Sequence, residues 1–159
     1  RRQRQMCIRD SPDPIRDDAD SDVAWDKVRR SSRRISDVLL DQRVAAGVGN
    51  IYRAEVLFRH RVDPATPGKQ ISHSTWLAMW DDLVMLMRAG VESGRIDTVQ
   101  PEHTPEAMGR PPRVDRHGGE VYVYRREDQP CLVCNTPVRM VAQGGRHLFW
   151  CPRCQRRRH

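Results

Sequence analysis

Residues 131–154 read CLVCNTPVRMVAQGGRHLFWCPRC. Cys131 and Cys134, then Cys151 and Cys154, make two CxxC pairs with 16 residues between them. Each CxxC lets two thiolates reach one ion from a tight turn, and two such turns complete a tetrahedral four-sulfur shell, which suits zinc. Gly144 and Gly145 divide the intervening residues into two apolar-rich stretches, the pattern of a β-hairpin joining two knuckles. A four-cysteine zinc finger of the ribbon type is therefore expected over residues 124–159, with one zinc on Cys131, Cys134, Cys151 and Cys154. A shell of four sulfurs leaves no open position for water, so the zinc is expected to be structural. The alternatives for these cysteines are redox CxxC motifs or two disulfides. His147 competes as a ligand only where a cysteine is unused. His60, His73, His103, His117 and His159 form no metal or catalytic pattern, and Cys7 is left over as a plain thiol.

Outward from the finger, charge is the next signal. The chain has 159 residues, 38% apolar and 31% charged, with a formal charge of +7. Of its 28 basic residues only Lys27 and Lys69 are lysines. Arginine offers a planar fork matched to phosphate oxygens and base edges, although a GC-rich coding sequence gives the same skew. Placement is more telling than composition. From residue 124 onward eight arginines face only Glu127 and Asp128, so six of the net positive charges sit at the C-terminal end. That unit is the expected phosphate-facing surface. No run of 18 apolar residues argues for a transmembrane helix, and the basic start is not followed by the apolar stretch of a secretory signal. A cytoplasmic protein is expected, and the paired cysteines fit a metal site there better than disulfides.

Upstream, residues 1–22 hold two prolines, six aspartates and little to bury, and read as a linker or the remnant of a preceding domain. Residues 23–94 read as a helical domain. Val23, Trp25, Val28, Ile35, Val38 and Leu39 recur at helical spacing, with a break expected near Ser31 and Ser32. In VAAGVGN, Gly47 and Gly49 punctuate the entry into a helix beginning IYRAEVLF, which must end by Arg61 or Val62 because Pro64 restricts the residue before it. The clearest helix carries Trp76, Met79, Trp80, Leu83, Val84, Met87 and Val91 on one stripe, capped by Ser72 or Ser74 and stopping between Gly90 and Gly94. Its Met and Trp stripe is expected to be core. Residues 95–123 read as a connection and strand, with VYVYR alternating like a β-strand. The fold class is thus mainly α with a small β zinc ribbon, and the modest apolar content makes a metal a natural aid to folding.

Two motifs in order carry a family resemblance. DQRVAAGVGNIYRAEVLF resembles the helix-two-turn-helix signature of formamidopyrimidine-DNA glycosylase and endonuclease VIII, and VYRREDQPCLVCNTPVRMVAQGGRHLFWCPRCQ resembles that family's C-terminal zinc finger. The likeness runs from about Val23 to Gln155 and leans towards endonuclease VIII. It implies that Asn50 holds a phosphate near the damaged nucleotide. Such a role is chemically sensible for a polar residue flanked by Gly at a helix start, and it is compatible with a helix-capping role. The likeness also implies that Arg146, at the Gly tip, reaches the lesion site with its whole fork, whereas without the resemblance it reads as a solvated charge. Tyr124 matches a tyrosine near the DNA backbone, with a packed strand tyrosine as the equal alternative. Arg125 stands where the family has Gly, which puts the local turn in question.

The family's chemistry implies attack on the sugar C1′ by the amine of an N-terminal proline, with an adjacent Glu as acid/base and strand cleavage through a Schiff base. Here the first proline, Pro12, is internal, and a chain-internal proline nitrogen is an amide. No catalytic residue is therefore assigned in these 159 positions. The expected function is the DNA-binding portion of a bifunctional glycosylase/AP lyase that removes oxidised bases. The expected partners are damaged double-stranded DNA and a missing N-terminal catalytic domain in cis, with a monomeric chain and no membrane. The alternative is a non-catalytic, zinc-dependent nucleic-acid-binding module.

Overall fold

A computed structural model describes residues 13–16, 20–114 and 119–157. Most of the linker expected over residues 1–22, and Cys7, lie outside the described residues.

The helical unit starts with α1, Ser21–Val28, whose N-cap Asp20 accepts from the Asp22 amide. The chain leaves helical geometry at residues 29–34, where the sequence placed its break, and resumes as α2, Ile35–Leu40, with Ile35, Val38 and Leu39 buried. A double turn over residues 41–49 then reverses it. Gly47 has φ +84°, a conformation that a β-carbon disfavours, and its amide is held by Gln42 Oε1 at 2.9 Å.

The next helix, α3, Asn50–Arg59, is the axle of the molecule: Arg53, Ala54, Glu55, Val56, Leu57 and Phe58 are all buried. Six consecutive buried positions exceed the single stripe of a surface helix, so α3 must be covered on more than one side. One side, with Val56 and Leu57, joins the helical core. Another, with Ala54 and Phe58, joins the finger core.

The long helix α4, His73–Ser93, closes the helical core. Ser72 caps it by accepting from the Thr75 amide, and Gly94 ends it at φ +75°. Trp76, Met79, Trp80, Leu83 and Met87 are buried as the periodicity requires, while Val84 is half-buried and Val91 is 74% exposed, so the apolar stripe ends a turn early. Arg59 clamps Asp82 of α4 with both arms of its guanidinium (2.7 and 2.9 Å), and His60 Nε2 lies 2.9 Å from the same carboxylate. Burial by itself would raise the Asp82 pKa, but the hydrogen bonds from His60 and Arg59 outweigh it and hold the carboxyl at about 2. The connection beyond α4 is not featureless: it holds a 3-10 turn at Pro101–His103 and one helical turn, α5, Pro105–Met108.

The alternating VYVYR segment is not a strand. Val121, Tyr122, Val123 and Tyr124 are all buried, so the alternation does not divide an inside from an outside. Its backbone pairs with a side chain instead of a neighbouring strand. Glu55, 0% exposed on α3, accepts from the amides of Tyr122 (2.6 Å), Val123 (2.9 Å) and Tyr124 (3.0 Å), and from Thr98 Oγ1. A buried carboxylate needs such donors, and three consecutive amides satisfy a segment that has no β-ladder partner. Arg126 closes the following turn on Tyr122 O (2.6 Å) and Pro130 O (2.8 Å). Arg125 takes φ +53°, so the turn keeps the left-handed geometry that suits Gly.

The finger contains one antiparallel hairpin: β1, Arg139–Gln143, pairs with β2, Arg146–Trp150, in the register Arg139↔Trp150 to Gln143↔Arg146. Gly144 (φ +54°) and Gly145 (φ +80°) make a two-residue turn with both central residues left-handed, which matches the twist of the flanking strands.

Candidate metal centre and nucleic-acid interface

The four cysteines expected to bind metal converge. Their sulfurs all lie within 4.8 Å of one another; Cys131–Cys154 is 3.9 Å and Cys134–Cys151 is 3.4 Å. Sulfurs each about 2.3 Å from a shared zinc would stand about 3.8 Å apart in a tetrahedron, so the set fits. The knuckle backbone helps, with the Val133 and Cys154 amides directed at Cys131 Sγ and Cys151 Sγ. Burial pushes the Cys131 thiol up to about 11 and raises Cys154 as well, whereas at Cys134 burial is outweighed by the hydrogen bonds from Thr136, which draw the thiol down to about 6; a bound cation would favour the thiolate at each. His147 is not among the converging groups. Gln155 locks the second knuckle to the helical unit, accepting from the Cys151 amide (2.8 Å) and donating to Val62 O (3.0 Å).

Asn50 and the hairpin bearing Arg146, nearly a hundred residues apart in the chain, meet in space. Asn50 Nδ2 donates to His147 O at 2.9 Å, and Arg146 lies exposed one residue earlier at the start of β2. Ser36 Oγ adds a contact to Gln143 Oε1 at 3.3 Å across the turn from Arg146. The start of α3 beneath them is open: Gly49 occupies its N-cap without a capping side chain, and a β-carbon there would meet nothing within 4 Å. An uncapped helix start leaves backbone amides directed at solvent with the positive end of the helix dipole. The Asn50 amide and the open helix start thus lie beside the strand that carries Arg146.

Tyr124, the third residue that the resemblance singled out, is 7% exposed. Its ring packs edge-on against Phe149 with centroids 5.4 Å apart, and the Arg125 guanidinium lies 5.3 Å from its centroid. It is a residue of the finger core.

Two site residues escaped the sequence. Arg53, buried on α3, donates to Asn50 Oδ1, to Ser36 O at 3.3 Å and to His147 O at 3.5 Å. Burial lowers its pKa to about 10. Glu55, further along α3, holds the segment leading into the finger. Helical spacing alone reads both as surface charges of an amphipathic helix, and no local signal announces a second domain packed on that side.

A helix-two-turn-helix unit joined to a four-cysteine finger defines the architectural class of the chain. The comparisons narrow this. The family described as "Formamidopyrimidine-DNA glycosylase H2TH domain" matches residues 11–101, and "Zinc finger found in FPG and IleRS" matches residues 128–157. The endonuclease 8 1 of Mycobacterium bovis is 46% identical over 94% of this chain and 54% of its own length. A formamidopyrimidine-DNA glycosylase of Synechococcus is 33% identical over 91% of this chain and 49% of its own. A Lactococcus lactis Fpg in complex with abasic-site DNA shares the fold, with a TM-score of 0.75 at 24% identity over 98% of this chain and 54% of that one. The chain belongs to the formamidopyrimidine-DNA glycosylase and endonuclease VIII family, and its finger is that family's zinc finger with one structural zinc. It spans about half the length of the curated relatives it matches. Among the described residues no helix is long and apolar enough to cross a membrane.

Proposed function

We propose that the chain is the damaged-DNA-binding portion of a base-excision glycosylase/AP lyase, gripping the duplex through Asn50 and Arg146 while the chemistry is supplied from outside these residues. The observation that carries this reading is the meeting of Asn50 with the Arg146 hairpin through His147 O at 2.9 Å. A base must leave the stack before a glycosylase can act on it, and phosphate grips beside the lesion hold the distorted strand while it does. Tyr124 serves the grip from behind by packing the finger core. Lys27 Nζ donates to Arg43 O at 2.6 Å and Lys69 lies in a 3-10 turn; neither is among the groups hydrogen-bonded to Asn50, Arg53 or His147.

The test is binding of the chain to duplexes with and without an abasic site, followed by borohydride trapping. Arg146→Ala and Asn50→Ala should each weaken abasic-DNA binding by about 1 to 3 kcal/mol, the range for hydrogen bonds to charged groups, with helix content unchanged. No covalent adduct should form. Unchanged affinity in both variants would remove the grip. An efficient adduct would place the catalytic amine in this chain. Equal binding to intact and abasic duplexes would favour a non-catalytic module.

A further inference from the structure

Arg53 is a charged side chain surrounded by neutral partners. It is 0% exposed, and its hydrogen bonds run to Ser36 O, Asn50 Oδ1 and His147 O, all uncharged oxygens. Its Nε is buried without a hydrogen-bond partner. The carboxylate whose field favours it, Asp37, is hydrogen-bonded by Arg34 at 3.0 Å, while Arg34 and Arg146 themselves add positive field. Burial of a cation without a paired anion is costly, and burial of a guanidinium with donor capacity unused is costlier. An arrangement that keeps such a charge under an open surface is completed by an anion arriving from outside.

The same guanidinium decides which way the Asn50 amide faces. An amide can present its oxygen or its NH2 to a given neighbour, and the hydrogen-bond partners settle the choice. Arg53 can only donate, so it must meet Oδ1. That leaves the NH2 group with two hydrogens: one is taken by His147 O at 2.9 Å, and the other remains for an acceptor on the open side. His147 O also receives Arg53 Nη2, so one carbonyl registers the Arg146 hairpin against Asn50.

We propose that Arg53 is the positioning residue of the phosphate site, orienting the Asn50 amide as a donor and supplying a buried positive charge that a DNA phosphate balances. This rests on the reading of Asn50 and Arg146 as phosphate contacts. Arg53 does not touch the DNA; it sets the geometry and potential of the two residues that do.

The experiment compares the complete zinc-loaded chain with Asn50→Ala, Arg53→Met, Arg53→Lys and the Asn50→Ala/Arg53→Met pair, measuring affinity for abasic duplex over a range of salt and the melting temperature without DNA. Arg53→Met fills the same space without charge or donors. It should melt no lower than the parent, because an unpaired buried charge has been removed. It should nevertheless bind about 10-fold more weakly, a loss on the scale of one charged hydrogen bond, with the salt dependence reduced by about one counterion. In the Asn50→Ala background the same change should cost clearly less, since there is no amide left to orient. Arg53→Lys keeps the charge but not the planar fork, and should keep the salt slope while losing affinity. If Asn50→Ala binds like the parent, the underlying phosphate reading fails. If Asn50→Ala weakens binding but Arg53→Met leaves affinity and salt slope unchanged, or adds its full cost to that of Asn50→Ala, the role of Arg53 is overturned. Should Arg53→Met fail to fold, Arg53→Lys decides: parental affinity refutes the orienting role, and weakened binding with an unchanged slope supports it.

Discussion

The helical unit and the finger are stabilised by different physics, and α3 is shared between them. The helical core gathers Ile35, Leu39, Leu57, Trp76, Met79 and Leu83, all closed to solvent, from three helices. The finger has little to set against this. Residues 139–142 of β1 are exposed, and its buried set centres on Val138, Phe149, Cys131 and Cys151, completed by Ala54 and Phe58 borrowed from α3. One region folds by burying apolar surface; the other needs a metal and a neighbour. The proposed DNA grip lies at the seam, with Asn50 on the self-sufficient region and Arg146 on the dependent one. Phosphate binding should therefore report on the weaker partner first.

The largest expected effect follows from that contrast. Structural zinc in small fingers contributes roughly 10 kcal/mol or more of apparent binding energy, comparable to the whole stability of a domain. Cys151→Ser, or chelation, should unfold the hairpin and abolish DNA binding while leaving most of the helical circular dichroism intact. Elemental analysis of the parent should give one zinc per chain. Loss of the helical signal together with the finger would show that the two regions are a single cooperative unit.

A smaller effect probes the helical side through Asp82, which ties α3 to α4. Its folded-state pKa, about 2, lies below the ordinary carboxyl value near 4. Because the folded value is depressed, the stabilisation is fully present above pH 4 and is lost as pH falls towards 2. It amounts to roughly 2 kcal/mol. Asp82→Asn should remove it, so stability curves of parent and variant, followed by Trp76 and Trp80 fluorescence, should converge between pH 4 and 2. Since acid also releases zinc, the difference between the two curves is the measurement. A constant gap across that range would refute the assignment.

The smallest effect tests the seam. Arg125 holds a left-handed conformation that costs a residue with a β-carbon about 1 kcal/mol relative to Gly. The guanidinium's contact with the Tyr124 ring returns part of it. Arg125→Gly should raise finger stability by under about 1 kcal/mol, read as a small increase in the denaturant midpoint. A fall would mean that the contacts of the Arg125 side chain are worth more than the backbone strain.

Features whose physics is local were legible in the sequence. Two CxxC pairs need only short-range geometry to form a zinc shell, Gly144-Gly145 needs only left-handed backbone to turn, and the periodicity of α4 needs only one apolar side. Val91 escaped that last rule because the core ends before the helix does. What tertiary structure alone decided involves partners far apart in the chain. VYVYR has the residues of a strand, but a strand is defined by a ladder, and here the Glu55 carboxylate some 70 residues away takes the amides that a ladder would have taken. Arg53 and Glu55 look like solvated charges on a helical wheel, and they become a positioning cation and a structural anchor only because the finger folds back over α3. Spacing along the chain specifies which groups a turn can bring together, whereas the burial of a charge depends on what covers it, and that is settled only when the two regions pack.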